Sequence, residues 1–295
     1  MADSLGMTEF VACVAKHGCE LYRDFSWRRT RDPYAVLVSE VMLQQTQVAR
    51  VERRFDEWLE DYPTLEALAA APLAAVLESW QGLGYNRRAI ALKRAAVQLV
   101  ADSGGESPAT LPSSESALRA LPGIGAATAA GVRAFAFELP SVYLETNVRT
   151  VFLHEMFAAR DDVPDREIVP LVAEAMEEAT RQDISPRQWY YALLDCGAQL
   201  KRSVPNPSRR SAHHARQAPF EGSRRQKRAW LLRSVMAGPG TTTHGHAKGL
   251  AMFEQEAGRD TAPVDEVREI LAELAGEGFV VRQRNRWYVS ERECP

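Results

Sequence analysis

One acidic residue of the N-terminal third lies inside an otherwise apolar stretch. Glu40 belongs to AVLVSEVMLQQTQV, in which residues 35–43 are apolar except for Ser39 and Glu40 itself. Ionising a carboxyl group in apolar surroundings is costly, so we expect a raised pKa for Glu40. A carboxyl that holds its proton near neutral pH can donate it as a general acid. The alternative is a glutamate on a helix surface that only neighbours core positions.

Two glycines separated by one residue precede a predicted helix, in LPGIG at residues 121–125. Such a turn exposes consecutive backbone N–H groups at a helix N-terminus, where the helix dipole favours negative charge. These groups can bind a phosphate directly or through a cation. A helix–turn–helix corner that binds nothing is the alternative.

A second acidic residue, Glu145, lies where a loop enters a helix, in YLETNVR at residues 143–149. A carboxylate near a helix N-terminus is favoured in its ionised form. Asn147 or Thr146 could instead cap this helix and serve no further purpose. The pattern leaves both interpretations open.

Most of residues 1–200 carries helix signals, and strand signals are scarce there. Asp32-Pro33 provides a cap followed by proline at the first helical position. Neither Gly nor Pro interrupts residues 34–59, which predicts a continuous helical run. An all-α domain is therefore expected to position the two acidic residues and the glycine turn.

The C-terminal part of the chain changes character. Residues 201–222 contain three prolines and few periodic apolar positions, which is typical of a loop. After residue 222, three helices are predicted and then a β-hairpin with a polar turn at Arg284-Asn285. This order is typical of a winged helix-turn-helix module. The predicted boundaries are 1–200 for the helical domain, 201–222 for the basic loop and 223–295 for the winged-helix domain.

Four short motifs follow one another in a specific order: SEVMLQQTQV at 39–48, WQGLGY at 80–85, LPGIG at 121–125 and NVRTV at 147–151. Together they resemble the helix-hairpin-helix (HhH-GPD) DNA glycosylase superfamily, and most closely its MutY-like adenine glycosylase branch. The resemblance covers roughly residues 25–200. It implies a mainly α, two-lobed helical fold, which is followed here by the small α+β winged-helix domain.

The resemblance assigns roles to individual residues. It implies that Glu40 protonates the adenine leaving group, that Glu145 is the carboxylate facing the sugar, and that Asn147 supports that carboxylate. A base stacked in a duplex has to be flipped out before it can be cleaved, which requires wedges and a grip on the backbone. The residues implied in DNA binding are Gln44 and Gln45 near the lesion, Tyr85 as a wedge, and Leu121, Gly123, Ile124 and Gly125 of the hairpin.

The chain departs from the family in three places. The family's catalytic aspartate aligns with Glu145, which moves the carboxylate outward by about one methylene. Ala127 replaces the Schiff-base lysine of bifunctional relatives, so we predict a monofunctional glycosylase without AP lyase activity. Residues 201–217 contain no cysteine where the family usually holds a [4Fe–4S] cluster, which needs four thiolates. We expect no cluster, metal or other cofactor, and leave open a monovalent cation at the hairpin.

The net charge of −3 conceals a strongly basic segment. Residues 201–233 contain ten Lys and Arg against a single acid, Glu221, whereas the parts on either side are acidic. A solvated linker explains this composition, and so does a strip that contacts phosphates. We expect Arg209 and Arg210 to contact duplex DNA from a loop that replaces the cluster loop.

Composition also restricts the setting in which the protein works. No run of about 18 apolar residues is present, so we expect no membrane span. The N-terminus lacks the pattern of a signal peptide, and the four cysteines form no CxxC pair. We expect a monomeric, cytoplasmic, nucleoid-associated protein whose partner is double-stranded DNA containing a mismatch or lesion.

Three functions are consistent with the sequence. The leading interpretation is a DNA glycosylase of base excision repair that hydrolyses the N-glycosidic bond of a flipped adenine opposite guanine or 8-oxoguanine. The second is a glycosylase for another mismatched or modified base, suggested by Glu145 and by the absence of the family's usual lesion-reading domain. The third is a non-catalytic protein that binds damaged DNA or regulates its repair.

Overall fold

The computed structural model describes residues 6–104, 108–214 and 219–291. These residues are mainly helical, which confirms the predicted fold class. No helix among them combines the length and apolarity that crossing a membrane requires. The helices are α1 (Met7–Glu20), α2 (Pro33–Leu43), α3 (Val48–Asp61), α4 (Leu65–Ala70), α5 (Leu73–Ser79), α6 (Arg87–Asp102), α7 (Glu115–Arg119), α8 (Ala126–Phe135), α9 (Thr146–Glu155), α10 (Asp165–Arg181), α11 (Pro186–Ser203), α12 (Arg224–Ala237), α13 (Thr243–Glu256) and α14 (Val264–Gly276); the strands are β1 (Thr241–Thr242), β2 (Val280–Gln283) and β3 (Arg286–Val289).

The chain divides into two compact units, and their boundary differs from the predicted one. We assigned residues 70–90 to the helical domain, whereas they belong to the same unit as the C-terminal residues. Arg87 of this segment donates to both carboxylate oxygens of Glu277, at 2.7 and 2.5 Å, across 190 positions of sequence. No local pattern reveals such a contact. The first unit comprises Met1–Ala69 and Ala91–Ala215, and the second comprises Ala70–Ile90 and Arg216–Pro295.

Helix α11 packs against α1 and α9 in the first unit. Three successive residues of its DCGAQL sequence contact neighbouring parts of this unit. Asp195 is buried and forms an ion pair with the buried Arg28 at 2.6 Å. The Cys196 thiol faces the backbone of α1. Gly197 lies against the start of α9, where an added methyl group would overlap the carbonyl oxygen of Asn147.

Helices α2 and α3 replace the continuous helical run predicted for residues 34–59. Asp32 caps α2 by accepting two backbone N–H groups of its first turn. Nearly all of α2 is buried, whereas α3 buries one apolar stripe and exposes its other faces. The polar sequence QQTQ at residues 44–47 separates these two differently buried helices.

The second unit contains the predicted winged-helix order, with the strand β1 added between the first two helices. Its three strands form an antiparallel sheet in the order β1-β3-β2. The turn between β2 and β3 consists of Arg284 and Asn285, both with positive φ, 44° and 67°, as a tight right-twisted hairpin requires. Strand β1 has only two residues, too few to show an alternating pattern in the sequence.

Candidate active site

The Glu40 carboxyl group lies against helix α8. Gly131 of that helix has no side chain, and a methyl group placed there would lie 2.8 Å from Cδ of Glu40 and overlap Oε2. The hydroxyl of Tyr143 donates a hydrogen bond to the same carboxyl group. Glu40 is therefore held between a bare stretch of helix backbone and a phenol.

Burial raises the pKa of Glu40 to about 8. The hydrogen bond from Tyr143 opposes this shift, and the negative charge of Glu145 adds to it. This is the direction expected from the apolar run around Glu40. A carboxyl with this pKa carries its proton at pH 7 and can release it to a neighbouring base, as a general acid must.

Tyr143 is a site residue that the sequence analysis missed. Its backbone N–H donates to the Tyr190 hydroxyl at 3.1 Å, and its ring packs edge-on against Phe135 with centroids 5.3 Å apart. Burial, reinforced by the charges of Glu40 and Glu145, raises the pKa of Tyr143, so its hydroxyl stays protonated. The residues before α9 are non-helical, and positions two apart in extended backbone share a side. Tyr143 and Glu145 have this spacing, which predicts that their side chains lie on the same side of the chain.

Glu145 is itself the N-cap of helix α9. Its carboxylate accepts the backbone N–H groups of Asn147 and Val148, the latter at 3.0 Å. The alternative in which Asn147 or Thr146 caps this helix is therefore wrong. Burial raises the pKa of Glu145, and the two N–H groups and the Lys201 charge oppose that rise. The helix terminus thus supports the ionised form that burial disfavours.

Asn147 connects Glu145 to a lysine that the sequence analysis missed. Its backbone N–H binds Glu145, while its side-chain oxygen accepts a hydrogen bond from Lys201 Nζ at 2.7 Å. Lys201 follows Gly197 by four residues on α11, so both lie on one face of that helix, toward α9. The contact between Gly197 and the start of α9 brings Lys201 into the site.

The predicted phosphate-binding hairpin forms the turn between α7 and α8. The side chains of Leu121 and Ile124 are buried, so these residues can offer only backbone groups to a ligand. Gly123 has φ of +75° and contacts Ala91 so closely that a methyl group could not be added. Gly125 is exposed and precedes α8, whose first N–H groups are those predicted to bind phosphate.

The two predicted intercalating glutamines lie in the break between α2 and α3. Gln44 donates a hydrogen bond to the Thr128 hydroxyl of α8 at 2.9 Å, which ties this loop to the hairpin helix. Gln45 is exposed and has φ of +52°, a left-handed conformation that is uncommon for a residue with a side chain. Such conformations concentrate at functional sites.

These residues lie in a region shared with known repair proteins. Residues 38–205 match the family described as HhH-GPD superfamily base excision DNA repair protein. The chain belongs to this superfamily. An adenine DNA glycosylase of Mycolicibacterium smegmatis is 38% identical over 177 residues, and the adenine DNA glycosylase of Homo sapiens is 34% identical over 184 residues. These relatives support the predicted resemblance to the adenine glycosylase branch.

The matched region is only a part of those relatives. Each match covers 60% of this chain, but 58% of the mycobacterial protein and 33% of the human one. A solved thermostable thymine-DNA glycosylase has a TM-score of 0.55 at 25% identity, over 65% of this chain and 86% of that one. The helical fold of the superfamily is therefore shared with a glycosylase named for a different base.

Tyr85, the predicted wedge, lies in the second unit. It is 40% exposed and has φ of +48°, so it shares the left-handed conformation of Gln45. The guanidinium of Arg88 lies 5.5 Å from its ring centroid, and Arg225 donates to its hydroxyl at 3.4 Å. Two arginines of the same unit thus contact this partly exposed ring.

The loop after α11 is attached to the first unit of this superfamily member by a short helical turn, Pro207–Arg210. The carbonyl oxygen of Arg210 accepts the Val163 N–H at 2.9 Å, and its guanidinium donates to the Leu153 carbonyl at 3.3 Å. Arg209 is exposed. Arg210 thus forms hydrogen bonds within the protein through its backbone and its side chain. Contact of either arginine with DNA stays a prediction.

The basic segment of residues 201–233 is divided between the two units. Contact of this segment with phosphates stays a prediction. In the second unit, basic side chains of α12 form ion pairs with acidic side chains of α14 and of the residue that follows it, which neutralises much of their charge. These pairs join Arg224 to Glu273 at 2.7 Å, Lys227 to Glu266 at 2.9 Å, and Arg228 to Glu277.

The described cysteines do not fit the iron–sulfur cluster that members of the superfamily usually hold. Cys13 and Cys19 are exposed on α1, Cys196 is buried in α11, and Cys294 lies outside the described residues. The loop after α11 offers serine, arginine and histidine where four thiolates would be needed. In the part of the chain that the structure describes, no group of His, Cys, Asp and Glu side chains could hold a metal ion.

Proposed function

We propose that this protein is a monofunctional DNA glycosylase that hydrolyses the N-glycosidic bond of adenine mispaired with guanine or 8-oxoguanine. The observation that carries the proposal is the pair of neighbouring carboxyl groups of Glu40 and Glu145. Burial raises the pKa of Glu40 to about 8, and the charge of Glu145 adds to that rise. One group is supplied as an acid and the other is supported as an anion. The adenine DNA glycosylases of similar sequence favour adenine as the base.

The reaction assigns a different step to each carboxyl group. Glu40 donates its proton to a ring nitrogen of the flipped base while the bond between that base and C1′ of the sugar breaks. Glu145 faces the positive charge that develops on the sugar. Water then adds its oxygen to C1′, and the proton that water loses restores the acid. The products are the free base and an abasic site.

DNA binding is assigned to backbone groups in the first unit. The hairpin and the first N–H groups of α8 would bind a phosphate of the cleaved strand. The loop containing Gln45 would enter the duplex and help to expel the base, at the energetic cost of unstacking. The hydrogen bond between Gln44 and Thr128 joins these two elements.

A panel of duplexes tests this function. Each duplex carries one mismatch or lesion, and alkali treatment after incubation converts abasic sites into strand breaks. Release of adenine opposite guanine or 8-oxoguanine by the natural protein, lost in Glu40→Gln, supports the proposal. Breaks that appear without alkali would contradict a monofunctional mechanism, which leaves the abasic site intact.

A glycosylase for another base is the second candidate. It is favoured by the similarity to the thermostable thymine-DNA glycosylase and by Glu145 in place of the family's aspartate. Glu40-dependent release of a base other than adenine would select this candidate. Tight binding without release from any duplex would select the non-catalytic one.

Arg209 provides a separate test of the DNA-binding loop. We expect Arg209→Glu to weaken duplex binding and to flatten its dependence on salt, since each phosphate contact contributes to that slope. Arg53→Glu, at an exposed position of α3, is the control for a change of net charge. An unchanged salt slope in Arg209→Glu would remove this arginine from the interface.

A further inference from the structure

Lys201 is the first residue after DCGAQL, and its ammonium group reaches the candidate active site. Its Nζ donates to Oδ1 of Asn147 at 2.7 Å. The backbone N–H of Asn147 in turn donates to Oε1 of Glu145. Asn147 therefore joins the ammonium group to the carboxylate that we assign to the sugar.

Among the other charged and titratable groups around Glu145, Arg149 also lowers the pKa of that carboxyl group, but less than Lys201 does. Arg149, on α9, is already bound to Asp165 through two hydrogen bonds of 2.8 and 2.7 Å. Glu40, on α2, is an acid and Tyr143 keeps its proton, so neither supplies positive charge. Lys201 is partly buried, which strengthens the effect of its charge on Glu145. The same burial lowers the pKa of Lys201, and the charge of Glu145 opposes that shift.

We propose that Lys201 is a positioning residue that favours the ionised form of Glu145 and holds Asn147, and through it the carboxylate, in place. Ionising a buried carboxyl is costly, and the two N–H groups of α9 offset that cost only in part. The ammonium group of Lys201, which is joined to Glu145 through Asn147, reduces that cost further. The role in base release rests on the proposed function, whereas the interaction between Lys201 and Glu145 does not.

The pH dependence of base release tests the charge of Lys201. Lys201→Gln keeps a donor for Asn147 but loses the charge, so the pKa of Glu145 rises. We expect the acidic limb of the single-turnover rate to move up by about one pH unit. Lys201→Arg should restore the original limb, and Arg202→Gln, at the exposed next position, should leave it unchanged. An acidic limb that does not move in Lys201→Gln would overturn the proposal.

A double-mutant cycle in unfolding free energy tests the same interaction without any activity. At pH 7, we expect Lys201→Gln to destabilise the protein more when residue 145 is glutamate than in the Glu145→Gln background. Equal effects in the two backgrounds would overturn the proposal even if the enzyme releases adenine. If no base is released from any duplex but the coupling is present, the proposed function fails and the interaction stands.

A nucleophilic lysine is the rival explanation for this placement. Borohydride treatment of the protein on abasic duplex DNA traps a Schiff base if Lys201 attacks the sugar. We expect no adduct above that of Lys201→Arg. A borohydride-trapped adduct that depends on lysine at this position would overturn the positioning role.

Discussion

Glu40 and Glu145 are two glutamates of one site, and they are held in opposite ways. Glu40 rests against a glycine of α8 and receives a hydrogen bond from a phenol, so burial dominates and its pKa rises to about 8. Glu145 caps α9, where two backbone N–H groups and a lysine oppose the effect of burial. The surroundings, and not the residue type, hold Glu40 as an acid, whereas those of Glu145 partly oppose the rise in pKa that its burial causes.

A glycine lies close to each of the two carboxyl groups, and the two glycines contact different kinds of atoms. The neighbours of Gly131 are side-chain atoms, the carboxyl end of Glu40 and the ring of Tyr143. The neighbour of Gly197 is the backbone of Asn147, at the start of the helix that Glu145 caps. The same substitution at the two glycines should therefore damage chemistry in one case and folding in the other.

The largest effect is expected from Glu40→Gln, which removes the proton donor. We expect base release to fall by about 10²–10⁴-fold in single-turnover kinetics, since general acids contribute on that scale. Glu52→Gln, at an exposed position of α3, is the matched control and should keep the natural rate. A loss below tenfold would mean that another group protonates the base.

Glu40→Gln should also change stability in a pH-dependent way. In the folded protein Glu40 keeps a proton that the unfolded chain releases above about pH 4.5. Its contribution to the unfolding free energy is therefore present at low pH and is lost as pH rises to about 8. Urea unfolding at pH 5 and pH 9 should show the variant gaining stability relative to the natural protein at the higher pH. A pH-independent difference would contradict the raised pKa.

Gly131→Ala should reduce activity through Glu40 and leave the stability of the fold nearly unchanged. The new methyl group pushes the Glu40 carboxyl aside, and a misplacement of about 1 Å costs roughly 100-fold in rate. The displaced carboxyl group ends a side chain that can rotate, and the Tyr143 ring, 3.0 Å from the new methyl group, has to move only slightly. We therefore expect the unfolding free energy to change by less than about 1 kcal/mol. Gly276→Ala, in open space at the end of α14, is the control. Full activity in Gly131→Ala would show that Glu40 does not depend on this contact.

Gly197→Ala should affect Glu145 indirectly, by destabilising the packing of α11 against the start of α9. The methyl group meets backbone at the start of α9, and overpacking of this kind costs about 1–3 kcal/mol. We expect a lower urea midpoint at every pH tested, with any loss of activity following from the displaced α9. Unchanged stability would mean that α9 and α11 can separate without cost.

The smallest effect is expected from Tyr143→Phe. The phenol stabilises the ionised form of Glu40, so removing its hydroxyl should raise the pKa of Glu40 further. The alkaline limb of base release should then move upward by a fraction of a pH unit. Tyr22→Phe, at an exposed position, should leave the limb where it is. A downward shift would reverse the assigned direction of the hydrogen bond.

Much of the fold could be predicted because its signals are local. Asp32-Pro33 marked the start of α2, and the spacing of apolar residues and turns marked the winged helix. The break at Gln44–Gln47 carried no Gly or Pro and was missed, since it reflects the different burial of α2 and α3. Residues 70–90 share a unit with the C-terminal residues, and contacts such as the ion pair between Arg87 and Glu277 join parts of the chain that no local pattern relates.

The sequence by itself determined the superfamily, the helical class, and Glu40, Glu145 and the hairpin as candidates, since motifs of fixed residue type and spacing carry that information. Only the tertiary structure decided which groups surround the two carboxyl groups. Gly131, Tyr143 and Lys201 come from three different elements, and the packing of α8, α9 and α11 brings them together. A pKa depends on burial and on charges that lie nearby in space, so no reading along the chain could supply it.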